Sequence, residues 1–157
     1  MKTQYLITAA FAALLTVTGQ TNAAEQELSK NEVPKAVLEA FEKSNPNATK
    51  VEYEKEMFEG KAAYEVEVKG NGKEYEFLYS AEGVLLQKEE EIDVNALPEP
   101  VVKAIQKAHP KAKIKEVEKL MKPDGTLTGY EVEIKMAKKE IELELDVNGK
   151  ILKTEKE

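Results

Sequence analysis

The chain reads as an α+β protein of two tandem repeats, each a helix followed by a four-stranded antiparallel sheet with the helix on one sheet face. Three observations predict this. The first is an internal repeat. Val33-Pro34, Val37-Leu38, Ala40-Phe41, Lys43, Pro46 and Ala48 return 64 residues later as Leu97-Pro98, Val101-Val102, Ala104-Ile105, Lys107, Pro110 and Ala112. The offset grows to 66 after a longer loop, where Tyr64-Glu65-Val66-Glu67-Val68-Lys69 meets Tyr130-Glu131-Val132-Glu133-Ile134-Lys135. A period above about sixty residues is too long for a solenoid unit and marks a duplicated small module. The second observation is a switch of apolar period from helical to two within each copy. The third is a set of turn residues at matching places.

The N-terminus comes first. Met1-Lys2 is a short positive start, Tyr5 to Val17 is almost wholly apolar or small, and Thr21-Asn22-Ala23-Ala24 offers a small-residue cleavage site. Residues 1–24 therefore read as a secretory signal peptide, since thirteen residues span a bilayer poorly. Export to the periplasm or beyond is the expected localisation, with no membrane contact after cleavage. The first repeat is assigned to 25–92 and the second to 93–157.

Each repeat opens with a helix. Val33, Val37, Ala40 and Phe41 recur at helical spacing, as do Leu97, Val101, Ala104, Ile105 and Ala108. Pro34 and Pro98 suit a first turn, where a missing N–H costs nothing, and Pro46 and Pro110 stop the helices. Ser29 and Glu32 have the spacing of a capping box.

Strands follow. Val51, Tyr53 and Met57 alternate with Glu52, Glu54 and Glu56; Tyr64, Val66 and Val68 with Glu65, Glu67 and Lys69; Tyr75, Phe77 and Tyr79 with Glu74, Glu76 and Leu78. The second copy gives Val117 and Met121, then Tyr130, Val132, Ile134 and Met136, then Ile141, Leu143, Leu145 and Val147. Such strands are apolar on one face and charged on the other. An even loop at Gly70-Asn71-Gly72 places Val66 opposite Phe77. Asn148-Gly149 is a two-residue hairpin signal that places Leu145 opposite Leu152. A unit of about sixty residues buries only about 60% of its unfolded surface, so the copies are expected to share a core or an interface. Whether their sheets fuse into one curved sheet or pack against each other is left open at this level.

Composition narrows the function. There is no cysteine, hence no disulfide or thiol chemistry. All 23 basic residues are lysine, and the net charge is −7. Arginine is the preferred donor for bidentate phosphate contacts, so its absence and the acidic balance argue against nucleic acid. Residues 33–92 carry 8 Lys and 14 Glu, whereas 97–157 carry 13 Lys and 12 acids, so the first copy is the acidic one.

The run Leu97-Pro98, Val101, Ala104-Ile105, His109-Pro110, Ala112-Lys113-Ile114 and Val117-Glu118 resembles the helix and first strand of PepSY-like domains. Gly129-Tyr130-Glu131-Val132-Glu133-Ile134 and Asp146-Val147-Asn148-Gly149-Lys150-Ile151-Leu152 are similar to their later strands and final hairpin. The resemblance covers about 33–157 and is closest to an exported bacterial group described as β-lactamase-inhibitor-like. It implies small α-β units that fuse into a larger curved sheet in the inhibitor, a cell-envelope location, and a non-catalytic, protein-binding or inhibitory role. One departure matters. The inhibitor binds through an aromatic-rich concave surface held by disulfides, and this chain has neither tryptophan nor cysteine. Inhibition of a β-lactamase is therefore not carried over.

Little else suggests chemistry. The single histidine, His109, ends the second helix, where a helix dipole favours it as a cap. Pro123-Asp124-Gly125 is a turn without the further acids of a calcium loop. The remaining feature is a ladder of glutamates: the register sets Glu67 against Glu76 and Glu133 against Glu142, and opposed like charges destabilise a sheet. Lysines offset this in part, with Lys153 beside Glu144, Lys135 beside Glu140 and Lys69 beside Glu74. A paired-carboxylate hydrolase needs a cleft and one carboxyl of raised pKa, and a flat, wet ladder supplies neither. The expectation is a non-enzymatic module, with no cofactor, that engages a basic protein surface through an exposed sheet face at Glu52, Glu54, Glu65, Glu67, Glu74 and Glu76. The alternative is a low-affinity divalent cation (Ca²⁺) binder with oxygen ligands.

Overall fold

The structure is a computed structural model that describes residues 26–156 apart from Asn71 and Lys138, and apart from the side chain of Lys156. The expected signal peptide, residues 1–24, lies outside the described residues. No helix among them is long and apolar enough to cross a membrane.

Strands β1 (Gln26–Glu27), β2 (Val51–Phe58), β3 (Lys61–Gly70), β4 (Lys73–Ser80), β5 (Leu85–Glu91), β6 (Lys113–Met121), β7 (Leu127–Met136), β8 (Lys139–Asp146) and β9 (Ile151–Lys156) pair antiparallel in chain order. Helices α1 (Lys35–Ser44) and α2 (Glu99–Ala108) interrupt the meander before β2 and before β6. This corrects the expected fold class. There are not two repeats of helix plus four-stranded sheet; there is one nine-stranded sheet, mostly β, with two short helices. The join is the pairing of β5 with β6, where Lys88 meets Met121, Glu89 meets Leu120, Glu90 meets Lys119 and Glu91 meets Glu118. A backbone ladder needs no apolar side chains, so hydrophobic alternation does not reveal it. The short β1, which pairs Gln26 with Lys55, was likewise not foreseen.

The local expectations fare well. Pro34 and Pro98 take the N-cap positions of α1 and α2, just ahead of the first turn, and the helices are C-capped by Asn45 and His109, one residue before Pro46 and Pro110. The Glu32 carboxylate accepts from both the Ser29 N–H (2.9 Å) and the Ser29 hydroxyl (2.7 Å), but it closes a short 3₁₀ turn and not α1. Val66 lies opposite Phe77, and Glu133 opposite Glu142.

One register is different. Leu145 pairs with Ile151, and Leu152 is the extra residue of a bulge, 52% exposed. The turn is longer than two residues: Gly149 N–H donates to the Asp146 carbonyl, and Asp146 N–H donates to the Lys150 carbonyl. The Asp146 side chain also accepts from the N–H groups of Asn148 and Lys150. With Gly149 at φ +86°, this is a type I turn followed by a glycine bulge. The same pattern recurs at Ser80–Val84 around Gly83 and at Lys122–Thr126 around Gly125.

The apolar sheet face carries both helices, over two separate cores. Val37 and Phe41 of α1 pack with Val66 and Tyr79, and the Phe41 and Phe77 rings meet edge to face at 5.8 Å. Val101 and Ile105 of α2 pack with Val117, Val132, Ile134, Leu143 and Leu145. Between them the same face of β5 and β6 carries Lys88, Glu90 and Lys119, so the cores stay apart while the sheet runs through.

An acidic concave face as the candidate functional site

Period-two alternation puts every second residue of β2 to β8 on the face away from the helices, and most of those residues are glutamate. Cross-strand pairs run Glu52–Glu67–Glu76–Glu89–Leu120 from β2 to β6 and Glu91–Glu118–Glu131–Glu144–Lys153 from β5 to β9. The sheet curls around this face. In a flat sheet β3 and β7 would lie about 19 Å apart. Here carboxylate oxygens of Glu65 on β3 and of Glu131 on β7 each come within 4.8 Å of Glu89 on β5, and one cavity of about 760 Å³ touches both Glu54 on β2 and Lys153 on β9. Register shifts at Leu78/Tyr79, Ile114/Glu116, Leu120/Met121 and Glu144/Leu145 supply the bends, because each bulge kinks its strand and tightens its twist.

The six glutamates singled out from sequence share this face. Glu54, Glu65, Glu67, Glu74 and Glu76 line the cavity and are half-buried; Glu52 is exposed and does not line it. The expected flat, wet ladder is thus corrected to a concave and partly dry one. Sequence reasoning also placed the interest in the first half, whereas Glu116, Glu118, Glu131, Glu133, Glu142 and Glu144 of the second half line the same cavity. Net charge concealed them, since it sums both faces: Lys103 and Lys107 lie on α2, and Lys135 pairs with Glu140 away from the cavity floor.

Burial sets the electrostatics. Glu89 is 6% exposed and Glu118 7%. Glu89 sits in its row between Glu76 and Leu120, itself buried, so water is excluded on one side. Loss of solvent pushes Glu89 up to about 7 and, with the charge of Glu89 added, Glu118 up to about 8. Glu76 is pushed up to about 12 by burial and then by Glu65 and Glu118. Burial first, and Glu89 next, hold Glu131 well above the usual carboxylate range.

Near one end Lys69 relieves the crowding, 2.6 Å from Glu67, 3.5 Å from Glu74 and 3.8 Å from Glu52. Burial opposes ionisation of Glu67, but hydrogen bonds with Glu74 and Lys69 hold it below its ordinary value. Glu74 is pushed up to about 7 by burial and by Glu67 beside it. The Oε1 atom of Glu67 is well enclosed, yet the Lys69 ammonium at 2.6 Å is its partner. Glu89 is different: Oε1 accepts from the Gln87 amide at 3.0 Å, while Oε2 is buried with no hydrogen-bond partner.

Three groups of carboxylate oxygens come within 4.8 Å of one another: Glu65, Glu76 and Glu89; Glu89, Glu118 and Glu131; and Glu74, Glu91 and Glu116. His109 takes no part; it is the C-terminal cap of α2, where its N–H donates to the Ile105 carbonyl. The arrangement suits hard, positively charged ligands. The lining offers carboxylates and a few lysines, with Thr128 as its single hydroxyl and neither histidine nor serine.

Comparison with known proteins fits this architecture. The family model described as "Putative beta-lactamase-inhibitor-like, PepSY-like" matches residues 62–153, and the chain belongs to that family. A second model, the peptidase propeptide and YPEB domain, matches residues 12–82. No curated protein matches the chain. Among solved structures, a BLIP-like protein from Bacteroides fragilis is 24% identical, with a TM-score of 0.52 over 77% of this chain and 84% of that one. A protein from Bacteroides eggerthii, described as "putative periplasmic", is 15% identical with a TM-score of 0.60 over 79% and 88%. A DUF2874 family protein from Bacteroides uniformis is 16% identical with a TM-score of 0.58 over 78% and 88%. At these identities the likeness is one of fold.

Proposed function

We propose that the protein is a non-enzymatic, exported binding module of the bacterial cell envelope whose acidic concave face receives a basic segment of another protein. The observation that carries this is the curl itself. It gathers glutamates from β2 to β8 around one cavity of about 760 Å³, with Lys122 and Lys153 as the lysines of its lining. Such a surface recruits cationic partners by long-range attraction and specifies charge more than shape. The family description, inhibitor-like, supports a binding role. The apolar N-terminal segment supports export.

The test is titration of the protein with a lysine-rich peptide and with a glutamate-rich peptide of equal length. Binding of the first is expected at low salt, with affinity falling steeply as salt rises past about 0.15 M, where the screening length is about 8 Å. Glu54→Gln with Glu67→Gln should weaken it. Equal affinity for both peptides, or none for the basic one at low salt, would sink the reading.

A further inference from the structure

The floor of the cavity contains something that a general attraction for basic segments does not explain. Glu89 stands at its centre, shared by two of the carboxylate groups, with Glu65 and Glu76 on one side and Glu118 and Glu131 on the other. It is 6% exposed, and its Oε2 atom is buried with no hydrogen-bond partner. A buried carboxylate oxygen left unpaired costs the full price of its lost hydration. Protein groups supply only the Gln87 amide, on the other oxygen. Two lysines near the cavity do not answer it: Lys153 acts on Glu89 only at a distance and pairs directly with Glu155 at 2.7 Å, and Lys69 is engaged with Glu67.

We infer that Glu89, Glu118 and Glu131, the group with two buried carboxylates, form a binding site for one Ca²⁺ ion on the floor of the concave face. The spacing fits the ion. Glu89, Glu118 and Glu131 each offer a carboxylate oxygen within 4.8 Å of the other two, which is no more than a single calcium coordination sphere, since Ca–O bonds of about 2.4 Å put opposite ligands about that far apart. The donor set fits as well. Only carboxylate oxygens converge, with no histidine or cysteine, which selects a hard cation over zinc or copper. Calcium accepts irregular shells of six to eight oxygens, as three carboxylates on three adjacent strands, binding through one or both oxygens and completed by water, would provide, whereas magnesium requires a near-octahedral cage. The third group, Glu74, Glu91 and Glu116, has no comparable orphaned atom and belongs to the general acidity of the face.

The site is independent of the peptide reading, and its test uses no peptide. The whole protein is titrated calorimetrically with CaCl₂ at about pH 8, with NaCl at matched ionic strength as the reference, and its melting temperature is followed in parallel. The expected result is saturable binding of one ion per chain and a rise in melting temperature that NaCl does not reproduce. Glu89→Gln should weaken binding by about tenfold or more, as loss of a charged ligand does. Without calcium that variant should melt no lower than the parent, since it discards a buried charge, which separates loss of a ligand from loss of the fold. Glu118→Gln is read in the same way, and Glu99→Gln on α2 should bind as the parent does. No saturable binding up to about 10 mM Ca²⁺, a response that NaCl matches, or binding that survives both Glu89→Gln and Glu118→Gln would overturn the assignment.

Discussion

Glu131 shows how position on the sheet changes the chemistry of a side chain. It sits opposite Glu118 on β6 and Glu144 on β8, and burial keeps its proton on well above the usual value of 4.5. Folded chains therefore hold protons that unfolded chains release, and this fixes the sign of the pH dependence. Stability from Glu74, Glu89, Glu118, Glu76 and Glu131 is fully present below about pH 4.5 and is lost as pH rises from there through about 7 for Glu74 and Glu89 and about 8 for Glu118. Below that range the opposite group acts. Glu32 and Glu67 have lowered values, and their contribution disappears as they are protonated. In calcium-free buffer the melting temperature should thus peak at mildly acid pH and fall towards pH 8; a melting temperature that climbs over that interval would contradict it. Glu131→Gln should raise the melting temperature at about pH 8 and leave it nearly unchanged at about pH 4.5, because the amide matches the protonated acid and lacks its titration. Alternation placed Glu74 and Glu76 on the charged face, but the sequence did not single out Glu89, Glu118 or Glu131. Their burial was not legible, because alternation shows which face a residue takes and says nothing of how far that face closes.

The helices and their partner turns form the next scale. Gly83 and Gly149 occupy corresponding places in the sequence repeat, and each has a left-handed backbone, at φ +77° and +86°. Each also lies against the first turn of a helix. A Cβ at Gly83 would stand 2.4 Å from the Ala36 carbonyl oxygen, and one at Gly149 would stand 2.6 Å from that of Pro100. The hairpin tip is thus the point where the sheet bears on the helix N-terminus. Gly83→Ala and Gly149→Ala should each cost about 1–2 kcal/mol from backbone conformation alone, with the clash against the helix adding to it. Gly60→Ala, at φ +76° with nothing near its missing Cβ, should cost only the first part. Denaturant midpoints of the three variants measure the difference. The turns were readable from their Asn, Asp and Gly residues. Their docking was not, since it depends on a residue about 47 positions away in the chain, beyond the reach of local turn chemistry.

For the whole molecule, the question is whether two cores make one cooperative unit. Each core rests on its own helix, and Lys88, Glu90 and Lys119 separate them. Yet unfolding either half strips β5 or β6 of its partner and leaves an open edge above a half of marginal size. A single transition is expected, in which Phe41→Ala under α1 and Ile105→Ala under α2 lower the same midpoint, by about 3–5 and 2–5 kcal/mol. Two transitions, each moved by one variant only, would show the halves to be independent. The sequence by itself determined the elements: proline-bounded helices, alternating strands, the facing of Glu67 with Glu76, and the placing of glutamates on the face opposite the helices. These follow from backbone geometry and side-chain period, which act within a few residues. Tertiary structure alone decided that β5 and β6 join, that the bulges curl the sheet towards its acidic face, and that Glu89, Glu118 and Glu131 lose their water. Those outcomes depend on backbone hydrogen bonds and on the closeness of distant strands, and the physics that sets them is pairing and solvent exclusion across the whole sheet.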